Sequence, residues 1–252
     1  MNEYGVFASF YDRLMEDADY AGRAEYLLSL LKLRRPEKPA GTVLDLACGS
    51  GSLTVELALR GLDVIGVDGS EDMLAAAAGK AAAAGVNPML LCQDMRRLDL
   101  FGTVDAAVCA MDSLNHLCRT DDLRAVFRRL HLFLEPGSLF VFDVNTPYKH
   151  RAVLADNAFV FEQPDFLCVW QNRLLPRTAE VDMQLDFFVR EAGDRECYRR
   201  LSDHVRERAY AERTLRELLK GAGFEVEAVY DDRSFEPPHP DSERVVYVAR
   251  RK

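Results

Sequence analysis

The residues best placed for chemistry lie in the segment 43–51, VLDLACGSG. An apolar strand ends there in a turn whose two glycines let the backbone approach a ligand, and a helix with unpaired N–H groups begins directly after it. Asp45 lies inside the strand, where a carboxylate needs hydrogen-bond partners to be tolerated. Asp68 ends the next apolar strand, where a carboxylate can accept both hydroxyls of a ribose. This spacing predicts a nucleoside site at the ends of two neighbouring strands.

The spacing of the glycines also indicates which nucleoside is bound. A dinucleotide fingerprint needs a third glycine where Thr54 stands, so the pyrophosphate cradle is incomplete and a nicotinamide oxidoreductase is the poorest interpretation. No Gly-Lys-Ser/Thr follows the turn, which excludes a Walker-type phosphate loop. An adenosine ligand without phosphate remains, and S-adenosylmethionine meets that description.

The elements that must position these residues follow from hydrophobic periodicity. Apolar strands are predicted at 42–47, 63–68, 89–92, 104–110 and 139–144, separated by helices at 52–60, 71–84 and 121–133. Continuous apolar strands that alternate with helices specify parallel βαβ units. Period-two stretches between residues 157 and 208 predict an antiparallel sheet inserted into this frame. A helix at 214–220 and strands at 224–230 and 245–249 complete the pattern. The first 35 residues are predicted to be helical.

The predicted organisation is a helical cap at 1–40, a cofactor-binding α/β core at 41–147 and 209–252, and an antiparallel insert at 148–208. The aromatic side chains of the insert are expected to form its own core. We expect the insert to be a lid over the substrate.

Composition excludes several classes of protein. The chain has 252 residues and a formal net charge of −9, which disfavours nucleic acid as a partner because phosphate contacts need clustered basic residues. Charges interrupt every apolar run well before the roughly 18 residues of a membrane span, and the N-terminus lacks a secretion signal. The six cysteines include no Cys-x-x-Cys pair, so we expect no metal site and a reduced, cytoplasmic protein.

Successive motifs resemble those of the class I S-adenosylmethionine-dependent methyltransferases. They are VLDLACGSG at 43–51, VIGVDGS at 64–70, Met73-Leu74 and Gln93-Asp94-Met95, within a match that covers about residues 41–145. The N-terminal FA-x-x-YD at 7–12 and DSLN at 112–115 resemble a bacterial subgroup of small-molecule-type enzymes whose substrates are mostly unassigned. The resemblance implies a doubly wound, seven-stranded, mostly parallel sheet with one antiparallel strand. It places the cofactor at the carboxyl ends of the strands.

The resemblance also implies roles for single residues. Gly49 and Gly51 would line the methionine moiety, Asp68 would hold the ribose, and Asp94 and Met95 would flank the adenine. The segment 110–112 would lie near the sulfonium, and the N-terminal helix would close over the cofactor. The full set expected to bind the cofactor is Tyr11, Asp45, Ala47, Cys48, Gly49, Gly51, Asp68, Gly69, Ser70, Met73, Asp94, Met95, Ala110 and Met111.

Methyl transfer is a single displacement, and a general base is needed only if the acceptor is a protonated amine or a hydroxyl. Candidate catalytic residues are Asp112, His116 and His204, each of which has a structural interpretation as an alternative. The predicted function is methyl transfer from S-adenosylmethionine to N or O of a small molecule. The alternatives are an RNA methyltransferase and a non-catalytic regulator that binds S-adenosylmethionine. A homodimer formed through the insert stays open.

Overall fold

The computed structural model describes residues 5–34, 37, 41–191 and 197–252. These residues form one seven-stranded sheet and a separate four-stranded antiparallel sheet. The predicted fold class, a mostly parallel α/β sheet with an antiparallel insert, is confirmed. Residues 1–4, 35–36 and 38–40 of the predicted cap and 192–196 of the predicted insert lie outside the described residues.

The helices of the described chain are α1 (Gly5–Leu14), α2 (Tyr20–Arg34), α3 (Ser52–Leu59), α4 (Glu71–Ala84), α5 (Thr120–Phe133) and α6 (Glu212–Gly221). The strands of the large sheet are β1 (Thr42–Leu46), β2 (Asp63–Asp68), β3 (Met89–Cys92), β4 (Val104–Cys109), β5 (Leu134–Asn145), β10 (Phe224–Asp231) and β11 (Arg244–Arg251). The strands of the small sheet are β6 (Ala158–Glu162), β7 (Phe166–Leu175), β8 (Glu180–Arg190) and β9 (Tyr198–Arg208).

The large sheet has the strand order β10-β11-β5-β4-β1-β2-β3, and β11 runs antiparallel to both of its neighbours. Strand β1 pairs in parallel with β2 on one side and with β4 on the other. The chain therefore winds in opposite directions from β1 and β4, and a crevice opens at their carboxyl ends. The glycine turn after β1 and the loop after β4 both lie at this crevice.

Both faces of the central strands of the large sheet are buried, which explains why these strands are mainly apolar. Along β5, Leu139 and Val141 pack in the cluster beneath α2 and α3. Phe140 and Phe142 point the other way, into the cluster beneath α5 and α6. The sheet is thus a rigid layer between two helical layers, and it fixes the strand ends that carry the site.

Two element boundaries differ from the sequence prediction. The N-terminal helical stretch is split in two, because Asp19 caps α2 by accepting a 2.8 Å hydrogen bond from the amide of Gly22. Strand β5 begins at Leu134 rather than at residue 139, and its pairing with β4 shifts register near its start. The turn-forming Pro136 and Gly137 lie inside this irregular stretch instead of before the strand.

One buried side chain joins the core to the end of the small sheet. Asn115, in the short helical turn after β4, is fully buried. Its Nδ2 donates to the carbonyl oxygens of Asn145 at 3.2 Å and Arg208 at 2.9 Å, and its Oδ1 accepts from the amide of Asn145 at 3.0 Å. A single amide group therefore satisfies backbone groups of β5 and β9.

Replacement of Asn115 tests this connection. In N115D the carboxylate cannot donate to the two carbonyls, so we expect the free energy of unfolding to fall by about 3 kcal/mol. Urea unfolding monitored by circular dichroism measures it. The same change at the exposed Asn157, which donates to the carbonyl of Val153, should alter stability by less than about 1 kcal/mol. Equal losses in N115D and N157D would show that the connection contributes nothing.

Candidate active site

The glycine turn after β1 contains three residues in the left-handed region. Ala47, Gly49 and Gly51 have φ angles of 58°, 55° and 76°. A Cβ on Gly51 would lie 2.5 Å from Cβ of Ala77 on α4, so this glycine allows the turn and α4 to touch. A Cβ on Gly49 would meet nothing within 4 Å. The space beside Gly49 is therefore open to a ligand, as a nucleoside site requires.

The carboxylate of Asp68 faces this turn from the end of β2. Its Oδ2 accepts a hydrogen bond from the amide of Gly49 at 2.8 Å, and its Oδ1 accepts from the amide of Ser70 at 2.9 Å. Burial raises the pKa of Asp68, while the amides of Ser70 and Gly49 and the charge of His116 oppose that rise. Since a carboxylate offers about four acceptor positions, the group can still accept two ribose hydroxyls. These residues fit S-adenosylmethionine.

The residues next to Asp68 belong to the start of α4 and to the glycine turn. Ser70 caps α4 by accepting a 3.3 Å hydrogen bond from the amide of Met73, and both side chains are buried, while Gly69 between Asp68 and Ser70 is exposed. Burial, with the carboxylates of Asp45 and Asp68 nearby, raises the pKa of the Cys48 thiol. We infer that Cys48 packs as a neutral side chain.

Asp45 is buried in β1 at 2% exposure, where Oγ1 of Thr54 donates a 2.6 Å hydrogen bond to its Oδ2. Burial raises the pKa of Asp45 to about 7, although Thr54 lowers it in part. Thr54 occupies the position where a dinucleotide fingerprint has its third glycine. The side chain that breaks the fingerprint thus supplies the partner of the buried carboxylate.

On the far side of Asp68, the segment after β3 is expected to flank the adenine. The amide of Gln93 donates to the backbone oxygen of Asp68 at 2.9 Å, which places this segment beside the ribose carboxylate. Both oxygens of Asp94 accept from Nε of Arg96 at 2.9 Å, and this pairing lowers the pKa of Asp94. Met95 is half-buried and packs against the core. Asp94 is therefore held by Arg96, whose amide and guanidinium donate to both carboxylate oxygens.

The loop after β4 is strained. Met111 and Asp112 are consecutive left-handed residues with φ of 59° and 52°. Their amides donate to the two oxygens of Asp143 on β5 at 2.9 and 2.7 Å, and Oγ of Ser113 donates to the carbonyl of the buried Ala110 at 2.8 Å. Each left-handed residue costs on the order of 1–3 kcal/mol and persists only where its surroundings determine it. The hydrogen bonds to Asp143 hold both residues in this conformation.

The buried Arg23 and the half-buried Arg244 complete this arrangement. Nη1 of Arg23 donates to Asp143 at 3.2 Å, and Nη1 of Arg244 donates to the other oxygen at 2.5 Å. Arg244 also lies 3.3 Å from Oδ2 of Asp112, which accepts from the side chain of Asn145 as well. Burial disfavours the charge of Arg244, yet the two carboxylates raise its pKa. The loop that we expect near the sulfonium is thus fixed by an ion network.

Helix α1 lies across the glycine turn. Oδ1 of Asp12 accepts from Oγ of Ser50 at 2.5 Å and from Nζ of Lys80 at 2.6 Å. Tyr11 is half-buried beside Asp12. Its burial, and to a smaller extent the neighbouring Tyr20, raises its pKa. Helix α1 therefore carries Tyr11 close to the glycine turn, and a contact of Tyr11 with the cofactor stays a prediction.

The opposite side of α1 packs on the small sheet. Phe10 stacks on Phe187 with ring centroids 4.5 Å apart, and the amide of Phe7 donates to Asp203 of β9 at 2.9 Å. Helix α1 therefore connects the glycine turn to the insert.

Among the three candidate catalytic residues, the structure brings Asp112 and His116 to the crevice. Nε2 of His116, in the turn after β4, lies 3.8 Å from Oε1 of Glu207 on β9. Burial raises the pKa of Glu207, but the neighbouring His150, the charge of His116 and a hydrogen bond from Asn145 lower it below its usual range. The insert thus places a buried carboxylate beside the site.

His204 does not belong to this group, which corrects the expectation that it could be catalytic. Its side chain is 51% exposed, and its Nε2 lies 2.7 Å from Asp182. Residues three apart on a strand point to opposite faces, so His204 and Glu207 cannot both face the crevice. Arg173 and Arg206 share the outer face of His204, and both pair with Asp182. This face is a solvated salt-bridge surface.

Sequence reasoning missed Arg23, Asp143, Asn145, His150, Glu207 and Arg244. For Asp143 a signal was present, because it interrupts the apolar run of β5 just as Asp45 interrupts β1. For Glu207 the signal was its alternation with Val205 and Ala209, which marks the buried face of β9.

Comparisons with known proteins agree with this geometry. Residues 43–137 match a methyltransferase domain family. The chain is 35% identical over 248 residues to the "Putative methyltransferase GWCH70_2453" of Geobacillus sp. (strain WCH70), covering 98% of this chain and 99% of the relative.

Solved structures give the same result. An S-adenosylmethionine-dependent methyltransferase from Clostridium acetobutylicum ATCC 824 matches with a TM-score of 0.86 and 31% identity, over 99% of both chains. The sugar N-methyltransferase KedS8 from Streptoalloteichus sp. ATCC 53650 matches with a TM-score of 0.76 and 25% identity, over 98% of this chain and 93% of its own. Within the described ranges, no helix is long and apolar enough to cross a membrane.

The buried Asp45 predicts a pH dependence of stability. Its pKa of about 7 lies above the value of 3.8 for a free side chain, so between these values the folded chain binds more protons than the unfolded chain. Stability from this group is present below pH 4 and is lost as pH rises to 7. The advantage in free energy of unfolding of D45N over wild type should therefore grow by about 2–3 kcal/mol between pH 5 and pH 8. Urea unfolding at both pH values measures it, and an equal gap at both would contradict the assignment.

The contact of Gly51 with α4 predicts unequal effects of two similar substitutions. Gly49→Ala should cost about 1–2 kcal/mol, because only the left-handed backbone is strained. Gly51→Ala adds a methyl group 2.5 Å from Ala77 and should cost about 1–3 kcal/mol more. Free energies of unfolding of the two variants, measured side by side, decide the point. Equal losses would mean that α4 does not rest on the turn.

Proposed function

Because the chain belongs to the S-adenosylmethionine-dependent methyltransferase family, we propose that it transfers a methyl group to a nitrogen of a small-molecule acceptor. The observation that carries this proposal is the crevice between β1 and β4. There the open glycine turn, the Asp68 carboxylate and the strained loop after β4 meet. Support for a nitrogen acceptor comes from the likeness to a protein named as a sugar N-methyltransferase.

The residues that would hold the cofactor follow from their positions. Asp68 would accept the ribose hydroxyls, the turn at Gly49 would lie against the methionine moiety, and Met95 would cover the adenine. Tyr11 on α1 would close the crevice. Bound S-adenosylmethionine supplies a methyl carbon activated by a positive sulfur, so the protein contributes mainly alignment, which can be worth on the order of 7–11 kcal/mol.

The charges at the crevice suit an amine acceptor. Asp112 and Glu207 present carboxylates there, and the whole chain has a net charge of −9. A cationic amine is attracted to such a surface, but it must lose a proton before its nitrogen can attack. His116 lies close enough to the charge of Asp68 to affect the pKa of that carboxyl, and we assign it the role of general base.

The insert fits the role of a lid. Helix α1 joins it to the glycine turn, and β9 contributes Glu207, so the insert and the cap would close over the acceptor together. We propose the predicted division into cap (1–40), core (41–147 and 209–252) and insert (148–208) on this basis.

Free thiols support a reducing location. All six cysteines are unpaired, and Cys109 and Cys168 are fully buried. Disulfides are rare in the cytosol and common in secreted proteins. We therefore propose that the protein works in the cytoplasm.

The proposed activity is tested with radiolabelled S-adenosylmethionine and a panel of amino sugars, amino acids, alcohols and transfer RNA. We expect label on an amine, with the position identified by mass spectrometry. Label only on RNA, lost steeply with salt, would favour the RNA methyltransferase alternative. Label only on hydroxyls would contradict a nitrogen acceptor.

Two histidine variants test the assignment of the base on the amine found in that panel. H116Q should lower kcat roughly a hundredfold or more, because proton removal is lost. H204Q, altered on the outer face of the small sheet, should keep kcat within about twofold. Equal kcat values in the two variants would remove His116 from the mechanism.

A further inference from the structure

The carboxylate of Glu207 is buried at 6% exposure in the wall of the candidate active site. Its Oε2 accepts a 3.1 Å hydrogen bond from Nδ2 of Asn145 and lies 3.5 Å from Nε2 of His150. Its Oε1 lies 3.8 Å from Nε2 of His116. A buried carboxylate is tolerated only with such partners. Two of them support Oε2, and Oε1 is turned toward His116.

His150 fixes the charge of this carboxylate. The ring is fully buried, and its Nδ1 lies 3.0 Å from the backbone oxygen of Ala179, which can only accept, so Nδ1 carries a proton. Within the described part of the chain Nε2 has no hydrogen-bond partner, and it faces Glu207. A lone pair on Nε2 would repel the carboxylate, whereas a proton there makes an ion pair. The geometry therefore favours a protonated His150 and an ionised Glu207.

His116 lies between two carboxylates. Glu207 faces it from β9 with His150 behind, and Asp68 is near enough from β2 for the charge of His116 to lower the pKa of that carboxyl. The His116 side chain is 26% exposed. The ring is thus held beside Glu207 and remains partly accessible.

We propose that Glu207 is a positioning residue for His116, an inference that rests on the proposed N-methyl transfer. It orients Nε2 of His116 and stabilises the imidazolium that forms when Nε2 takes the acceptor's proton. That proton transfer comes first and leaves the N–H electron pair on the acceptor nitrogen. In the displacement that follows, this lone pair forms the new C–N bond, and the electrons of the breaking S–C bond stay on sulfur. The small sheet thereby supplies part of the catalytic machinery.

Kinetics of E207Q test the proposal. The substitution keeps the shape and removes the charge, so we expect about a tenfold lower kcat at neutral pH. Without the carboxylate the imidazolium is less stable, so His116 loses its proton more readily and the acid limb of the kcat profile moves down by about one pH unit. Affinity for S-adenosylhomocysteine should stay within about twofold. E162Q, the same change on the exposed face of β6, should move none of these quantities.

A second measurement does not need activity. The chain has five histidines, and their ring signals can be followed by NMR against pH, with H116Q identifying His116. In E207Q the His116 signal should titrate about one pH unit lower than in wild type. E207D keeps the charge but withdraws it by one methylene, so it should give a smaller shift of the same sign.

The outcomes separate the two proposals. An unchanged His116 titration in both Glu207 variants overturns the positioning role, whatever the activity. A shifted titration together with no methyl transfer to any amine supports the pairing of Glu207 with His116 and overturns the proposed acceptor class instead.

Discussion

The carboxylate of Asp68 accepts hydrogen bonds from the amides of Gly49 and Ser70. These bonds connect the turn after β1 with the turn after β2. The connections after the paired strands β1 and β4 run in opposite directions and open the crevice, and these two hydrogen bonds give the glycine turn a fixed shape there. Helix α4 packs against this glycine turn, where Gly51 contacts Ala77. The same carboxylate that orders the backbone is the group available to ribose hydroxyls. Fold and cofactor binding therefore depend on one side chain.

A second carboxylate, that of Asp143, fixes the shape of the loop after β4 on the other side of the crevice. Asp143 accepts hydrogen bonds from the amides of Met111 and Asp112. Its negative charge is balanced by ion pairs with Arg23 of α2 and Arg244 of β11. Strain in the loop after β4 is thus offset by contacts from distant parts of the chain. Such a loop is rigid before any ligand arrives, which suits a reaction whose rate depends on alignment.

Much of the fold follows from local patterns, because apolar strands and helix periods are properties of short segments. Asp45 and Asp68 could be found because charges in apolar strands are conspicuous, and Asp143 has the same signature in β5. The alternation of side chains along β9 places Glu207 and His204 on opposite faces of the strand. Sequence analysis nevertheless selected His204, because histidine is the residue type most often used as a general base. The partners Arg23 and His150 follow from no local pattern. Their positions depend on how α2 and the segment before β6 pack, which only the tertiary structure reveals.

Calorimetric titration of S-adenosylhomocysteine into wild type and D68N tests the central claim directly. We expect one site per chain in wild type and at least a tenfold weaker affinity in D68N, since hydrogen bonds to a charged group contribute about 1.5–3 kcal/mol. Absence of binding by wild type, or equal affinity in D68N, would contradict it.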